Sequence, residues 1–358
     1  MDKVSLKING AVYSGWTNVQ ITRALDAMSG SFELSLTWDL KNAIDKPINE
    51  GDSCVVELGT DRVITGFIDD WIPSYDESEV TIAVSGRDKT GDLVDCSVVG
   101  HSQFLNLTLS QIAIEICKPF NIKVVVDANV GEAFSRVSVE QGETCHELLT
   151  RLAKQRGIML TSDVYGNLVL TKASNEVLPT ALVLGENIKA ARGRFSRRDR
   201  FSKFIVKATG YGGGNEWDST AVTSVGGQKA EITDKQITRY RPKIIINDEI
   251  STAEGASKRG QWERQRSIGE SNTSEITVTG WRMQEGGKLW ETNKLVTVKD
   301  PIQGLDGNLL IKTIMFSEDD SGRLTVIGVI PREAMDIPVS IEKETQVDAG
   351  WSGAVIER

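Results

Sequence analysis

One succession of β-type segments is written twice in this chain, and that duplication constrains the fold more than any single motif. The first copy runs SFELSLTW, NEGD, SCVVEL, VITGFIDDWI, SYDESE and VTIAVSGRD. The second runs SEITVTGW, ETN, LVTV, NLLIKTIMF, SEDDSG and LTVIGVIPRE. Thirteen residues lead from Trp38 to Gly51, and twelve lead from Trp281 to Asn293. By sequence, Val80-Thr81-Ile82 aligns with Leu324-Thr325-Val326, and Trp38 with Trp281. In SFELSLTW, Phe32, Leu34, Leu36 and Trp38 share one face while Ser31, Glu33, Ser35 and Thr37 share the other, the period of a half-buried strand. Asn9-Gly10 predicts a type I′ hairpin, because both residue types tolerate positive φ. Short strands separated by polar turns predict a small barrel or sandwich. Two related barrels in one chain would give a trimer six similar units in a ring, and closure would bury sheet edges.

Between the two copies the pattern changes to helix and strand. Thr108 with Gln111, and Thr144 with Glu147, are capping boxes at the heads of two helical segments. At the offset of 36 residues that separates them, Ile112 meets Leu148, Ile116 meets Leu152 and Ile122 meets Ile158. This predicts a small α+β domain of two helix–strand units, closed by a Gly166-Asn167 turn. A second interruption, inside the later β copy, opens with GYGGGNEWD and ends in a helix from Ser251 to about Ser267, capped by Ser251 with Glu254 three positions on.

The expected class is therefore mainly β with an α+β insert. Its divisions are a first barrel at 1–98, an α+β domain at 99–178, a second barrel at 179–212 and 272–335, an insertion at 213–271 and a tail at 336–358. The length of 358 residues suits two or three domains. The net charge of −9 argues against general duplex-DNA binding, which needs phosphate neutralisation, but suits DNA passing without adhesion. No segment is a membrane span, and MDKVSLKING does not have the apolar run of a signal peptide, so synthesis in the cytoplasm is expected. Cys54, Cys96, Cys117 and Cys145 have neither metal-knuckle nor redox spacing and read as reduced, mostly buried side chains.

The candidate functional residues are basic and aromatic. RGRFSRRDRFSK, at 192 to 203, holds Arg192, Arg194, Arg197, Arg198, Arg200 and Lys203 against the single acid Asp199. Arginine favours bidentate carboxylate pairing, so the run suits a subunit or partner interface, with a solvated loop as the plain alternative. Arg259, Trp262 and Arg266 fall on successive turns of the later helix and suit docking or a surface helix equally. GYGGGNEWD has no following Lys-Ser/Thr pair and is not a phosphate loop. His101 and His146 make no metal pattern, and Cys145 and His146 diverge by about 100° on a helix. Asp69-Asp70, Asp76-Glu77 and Asp319-Asp320 fit strand ends and turns better than a glycosidase pair. No catalytic residue, metal or cofactor is expected.

The order of barrel, α+β insert and interrupted second barrel, with SGRDKTGDLVDCSV, RFSKFIVKATGYG, the W-x₂-N-x-L-V-x-V pattern at 290 to 298 and terminal TVIGVIPREAMDI, resembles the baseplate hub proteins of Mu-like contractile-tailed phages. Those are related in fold to the N-terminal part of type VI secretion spike proteins. The resemblance implies tube-type barrels and a homotrimeric ring of pseudo-six-fold symmetry. It further implies a hexameric tail tube protein on one face, a trimeric spike protein on the other, neighbouring baseplate proteins, and phage DNA passing through the lumen. The setting would be the virion tail. No β-helix repeat follows residue 335, so the spike is expected to be a separate chain. The alternatives are a tail-associated cell-wall-degrading enzyme and a secretion-system spike module.

Overall fold

A computed structural model describes residues 2–38, 48–77, 80–208, 228–247 and 253–336. The chain is mostly β. β1 (Val4–Ile8) and β2 (Ala11–Ser14) form the predicted hairpin, with φ +49° at Asn9 and +81° at Gly10. They are followed by β3 (Asn18–Ala24), β4 (Ser31–Trp38), β5 (Ser53–Leu58), β6 (Asp61–Tyr75) and β7 (Val80–Asp88). The hydrogen-bonded order of this first unit is β3-β4-β7-β6-β5-β1-β2. Phe32 and Leu34 point into the core while Ser31 and Glu33 face solvent, as the period-2 pattern requires.

The interposed segment contains α1 (Gly91–Asp95), β8 (Gln103–Leu107), α2 (Leu109–Cys117), β9 (Val124–Val126), β10 (Phe134–Ser138), α3 (Cys145–Arg156), β11 (Met159–Ser162) and β12 (Leu168–Thr171). Both capping boxes form: the Thr108 and Thr144 hydroxyls accept from the backbone N–H groups of Gln111 and Glu147, whose side chains accept in return. Each such cap adds about 1 kcal/mol to a helix. Ile112, Ile116, Ile122, Leu148, Leu152 and Ile158 are all buried in one core. β12 sits between β9 and β11, parallel to the first and antiparallel to the second. The helix α1 and the β8–β10 pair are additions to the expected two units.

This segment is locked to the first β unit through a buried carboxylate. Asp88, the last residue of β7, accepts from Gly30 N at 2.7 Å, Thr90 N at 3.1 Å, Ser29 Oγ at 3.0 Å and Ser162 Oγ at 2.5 Å. Arg23 adds bonds to the carbonyls of Val63 and Ser162. At Gly66 a Cβ would lie 1.9 Å from the Arg87 carbonyl oxygen, so the close approach of β6 to β7 there excludes any side chain.

The later part comprises β13 (Leu182–Val183), β14 (Ile188–Phe195), β15 (Lys203–Ala208), β16 (Gln228–Thr233), β17 (Pro242–Asn247), α4 (Ala253–Ser271), β18 (Asn272–Thr279), β19 (Leu295–Asp300), β20 (Leu305–Asp319) and β21 (Gly322–Ile330). Its main sheet runs β14-β18-β21-β20-β19-β13, the order of β3-β4-β7-β6-β5-β1 repeated. The long central strands β6 and β20 each have 15 residues and each bulge, after Ile68 and Ile311. Gly51 and Asn293, at φ +84° and +58°, donate to the carbonyls of Ile68 and Ile311 at 2.8 and 2.9 Å. The units differ at one end: β1 is antiparallel to β5, whereas β13 is parallel to β19.

Three expectations need correction. The shared bulge places Ile82 opposite Pro73 and Thr325 opposite Phe316, so Ile82 corresponds to Thr325 rather than to Val326. A one-residue slip exchanges the two faces of a strand. Ile82 and Thr325 are both buried, whereas Val326 is only half-buried. By the same register Trp38 matches Gly280, one residue before Trp281. Second, SKFIVKATG is not part of the large sheet: β15 is the middle strand of a separate sheet, antiparallel to β16 and parallel to β17. Third, α4 runs to Ser271, beyond the expected end near Ser267. The Ser251 cap, GYGGGNEWD and the tail from 337 onward lie outside the described residues.

The two units are fused. β3 pairs antiparallel with the outer half of β20, from Thr313↔Ala24 to Glu318↔Val19. The fusion makes one 13-stranded sheet with a shared core that includes Leu6, Ile21 and Val84 from the first unit and Ile276, Ile314 and Phe316 from the second.

Candidate assembly interface

The basic run at 192 to 203 spans an edge strand, a turn and the start of a second sheet. Every residue of β14 after Ile188 is exposed. Among the described residues β14 is bonded to another strand, β18, along one edge only, and a strand so placed is a template for further pairing. Arg192 and Arg194 lie on it, opposite Glu275 and Thr273 of β18. Arg197 and Arg198 are exposed in the turn that follows. Arg200 is not available: it is buried, and its guanidinium bonds Asp234 at 2.5 Å and Gln236 at 2.8 Å. Lys203 pairs with Glu231 at 2.7 Å. Lys203 and Lys229 together hold the Glu231 carboxyl down to about 2.

The second candidate group sits on α4. Arg259 and Arg266 place their guanidinium carbons 4.7 and 5.3 Å from the Trp262 ring centroid, and bond Glu263 and Glu270 one turn on. The helix covers the inner face of the β15–β17 sheet, where Phe204, Val206, Ile245 and Ala256 form a small core. The Ser267 hydroxyl donates to the Asp199 carbonyl at 2.5 Å. The late turns of α4 thus stand beside the arginine-bearing turn, and the two candidate groups belong to one region of the fold.

An acidic counterpart lies towards the other end of the sheet order, on the part of β6 that outruns β5. β5 stops bonding β6 at Phe67, and Ile68 bonds the 51–52 turn, yet β6 continues to Tyr75. Among the described residues, the outer edge of β6 past its bulge meets no other strand. This segment carries Asp69, Asp70, the exposed apolar Ile72 and Tyr75, and Pro73, with Asp76 and Glu77 in the turn beyond. Arg87 bonds both Asp69 and Asp95 at 2.7 Å, and these carboxylates, Asp95 foremost, push the guanidinium pKa upward. The sequence offered a signal for this edge: apolar residues resume after the Asp69-Asp70 pair, at Trp71, Ile72, Pro73 and Tyr75, well past the length of the partner β5. Acidic turn solvation alone does not account for Ile72 and Tyr75.

Elsewhere, His101 stacks on Phe104 at 4.8 Å between ring centroids, and His146 lies in the first turn of α3. Among the described residues, no group of three or more His, Cys, Asp or Glu side chains is placed to hold a metal, and no helix is long and apolar enough to cross a membrane.

The comparisons with known proteins place this mostly β chain, with its repeated unit and interposed α+β segment, in the phage-tail hub class. Residues 3–88 match the N-terminal domain of the Mu phage baseplate assembly protein GpP-like family, residues 90–172 the second domain of the baseplate hub protein gp44-like family, and residues 251–338 the fourth domain of the Mu phage baseplate assembly protein GpP. The chain is 33% identical to the baseplate hub protein gp44 of Escherichia phage Mu, over 98% of this chain and 94% of that protein. It belongs to this family of baseplate hub proteins. The crystal structure of the prophage MuSo2 43 kDa tail protein from Shewanella oneidensis is similar at a TM-score of 0.86 and 56% identity, covering 94% of this chain and all of that one. The tail protein from Neisseria meningitidis MC58 shares the fold at 0.79 and 23% identity, over 94% and 99% of the two chains. So does the E. coli c3393 component of the type VI secretion system, at 0.57 and 13%, over 91% of this chain and 76% of that one.

Proposed function

We propose that three copies of this baseplate hub protein form a ring of pseudo-six-fold symmetry that joins a hexameric tail tube to a trimeric spike and lets DNA pass. The observation that carries this reading is the repeated strand order, with matching bulges and matching Gly51 and Asn293 turns. In this reading each β unit is one tube-type barrel, and two equivalent units per chain convert three-fold into near six-fold symmetry. The polar face of the fused sheet supports a role as the wall of the bore. One row across it reads Ser85, Glu33, Gln20, Ser317, Leu324 and Thr279. That row holds no basic side chain, although Arg87, opposite Ser31, and Arg192, opposite Glu275, share its face; the net charge of −9 supports weak adhesion of DNA overall. The other partners would be the neighbouring baseplate proteins, and the structural role requires no catalysis. The test is native mass measurement of the chain alone and with tube and spike proteins. A trimer, alone or on the partners, is expected; a monomer that joins neither would refute the proposal.

A further inference from the structure

Past β21, the chain runs back along α4. That helix passes directly into β18, and β21 lies antiparallel to β18, with Val329 opposite Ser274. The chain leaving β21 therefore retraces the path by which α4 arrives. It makes a single 3₁₀ turn, Arg332–Met335, in which Ala334, five residues beyond Val329, meets Gly269, five residues before Ser274. A Cβ at Gly269 would lie 1.8 Å from that of Ala334, so the turn rests directly on the helix. Gly269 and Trp262 stand seven residues apart on one line of α4, about 10 Å along its axis. Gly260, whose neighbours are Val206 and Ile232 of the small sheet, faces the other way. The Trp262 line is thus the helix face turned away from β15–β17. We propose that residues 337–344 continue this path as an extended strap, antiparallel to α4, with Val339 seated on Trp262. The proposal goes beyond the ring reading and does not depend on it.

The root of the strap is firm: Arg332 bonds the carbonyls of Ala173 and Ser174 and pairs with Asp336 at 2.9 Å. Pro338 disfavours helical backbone at Ile337, so the turn stops and the chain leaves extended. Ile337, Val339 and Ile341 then share one face, and Ser340, Glu342 and Glu344 the other. An extended residue advances about 3.3 Å and so passes about two helix residues of about 1.5 Å each. Counted from Asp336, beside the late turns of α4, this brings Val339 to Trp262 and Ile341 to the turn before it. The seat suits that face. Trp262 is only partly buried, yet its indole N–H is enclosed and bonds none of the described residues. A main-chain carbonyl of the strap supplies the acceptor. Arg259 and Arg266 flank the ring, and their side chains remain 44% and 50% exposed although each bonds a glutamate one turn on. Glu342 and Glu344 bring carboxylates to the Arg259 end of the line, where a charge-assisted pair would fix the strap's position. The occupant is the chain's own segment because its apolar and acidic residues match the seat and it is tethered about 10 Å from it; a partner from outside would have to displace it.

The test uses the full chain carrying Cys96→Ser, since Cys96 is the exposed thiol. Val339→Cys is expected to be alkylated about tenfold more slowly than Ser352→Cys, which lies beyond the strap, and adding Trp262→Ala should restore the fast rate. Circular dichroism checks that the Trp262 variant is folded. Disulfide capture gives a second measurement that leaves Trp262 in place. Ile341→Cys with Lys258→Cys, on the Trp262 line, is expected to close within one chain on mild oxidation, in clear preference to Ile341→Cys with Gln261→Cys, about a quarter turn round the helix. Equal alkylation at 339 and 352 overturns the strap. Slow alkylation that Trp262→Ala does not relieve, or equal capture at 258 and 261, overturns the seat. Disulfides that join two chains rather than close within one assign the seat to a second copy and overturn the intrachain strap. None of these outcomes bears on whether three chains form a ring, which native mass reports separately.

Discussion

Replacing Asp88 with alanine should be among the most damaging single changes outside the hydrophobic core. The carboxylate is 1% exposed and ends β7 where the first β unit meets the α+β segment. Its loss strands two backbone N–H groups, of Gly30 and Thr90, which cannot turn to other partners. The hydroxyls of Ser29, Thr90 and Ser162 lose an acceptor too, but they can rotate; Thr90 Oγ1 already lies 2.6 Å from the Met28 carbonyl. An orphaned buried donor costs about 1–3 kcal/mol, so two of them together with the weakened hydroxyl bonds give about 3–5 kcal/mol. Ser162→Ala, which removes one rotatable donor, should cost only about 1 kcal/mol. Urea unfolding followed by tryptophan fluorescence and circular dichroism measures both, at one fixed protein concentration because assembly itself stabilises the folded chain. A loss below about 1 kcal/mol for Asp88→Ala would refute the view that this carboxylate holds the junction together.

Two further outcomes follow from titrating groups. Burial pushes the Cys54 and Cys117 thiols up to about 12 and Cys145 up to about 11, so at pH 8 the native chain should be alkylated at Cys96 alone and the denatured chain at all four; two or more fast-reacting native thiols would contradict this. Arg282 bonds Asp2 and Asp61 at 2.6 Å and holds the Asp2 carboxyl below its ordinary 3.8. The stability from a depressed carboxylate is present above its unfolded pKa and is lost as pH falls through the folded one. Arg282→Gln should therefore lower the urea midpoint at pH 7, and the gap to the parent should shrink as the pH falls below 3.8; a constant gap would exclude the linkage.

Local chemistry was legible in the sequence because its causes lie within a few residues. Asn9-Gly10 makes its hairpin, Thr108 and Thr144 make their caps, and Phe32 and Leu34 take the buried face, each through bonds or sterics confined to one turn or one strand. The duplication was legible for the same reason, as a repeated order of such local signals. The membership of β15 was not. KFIVKA suits any half-buried sheet, and only pairing with β16 and β17, the latter starting 34 residues after β15 ends, decides which one. Nor was the fate of Arg200: a run of arginines looks uniform in sequence, but Asp234 draws one of them into the interior. Sequence alignment also missed the true match of the two units by one residue, since a strand carries no mark of its register until a bulge and a partner fix it. The order and type of most elements, α1 and the β8–β10 pair excepted, were thus legible in the sequence alone. Their registers, the β3–β20 fusion and the bare edges of β14 and β6 came only with the tertiary structure, because long-range hydrogen bonds and shared burial decide them.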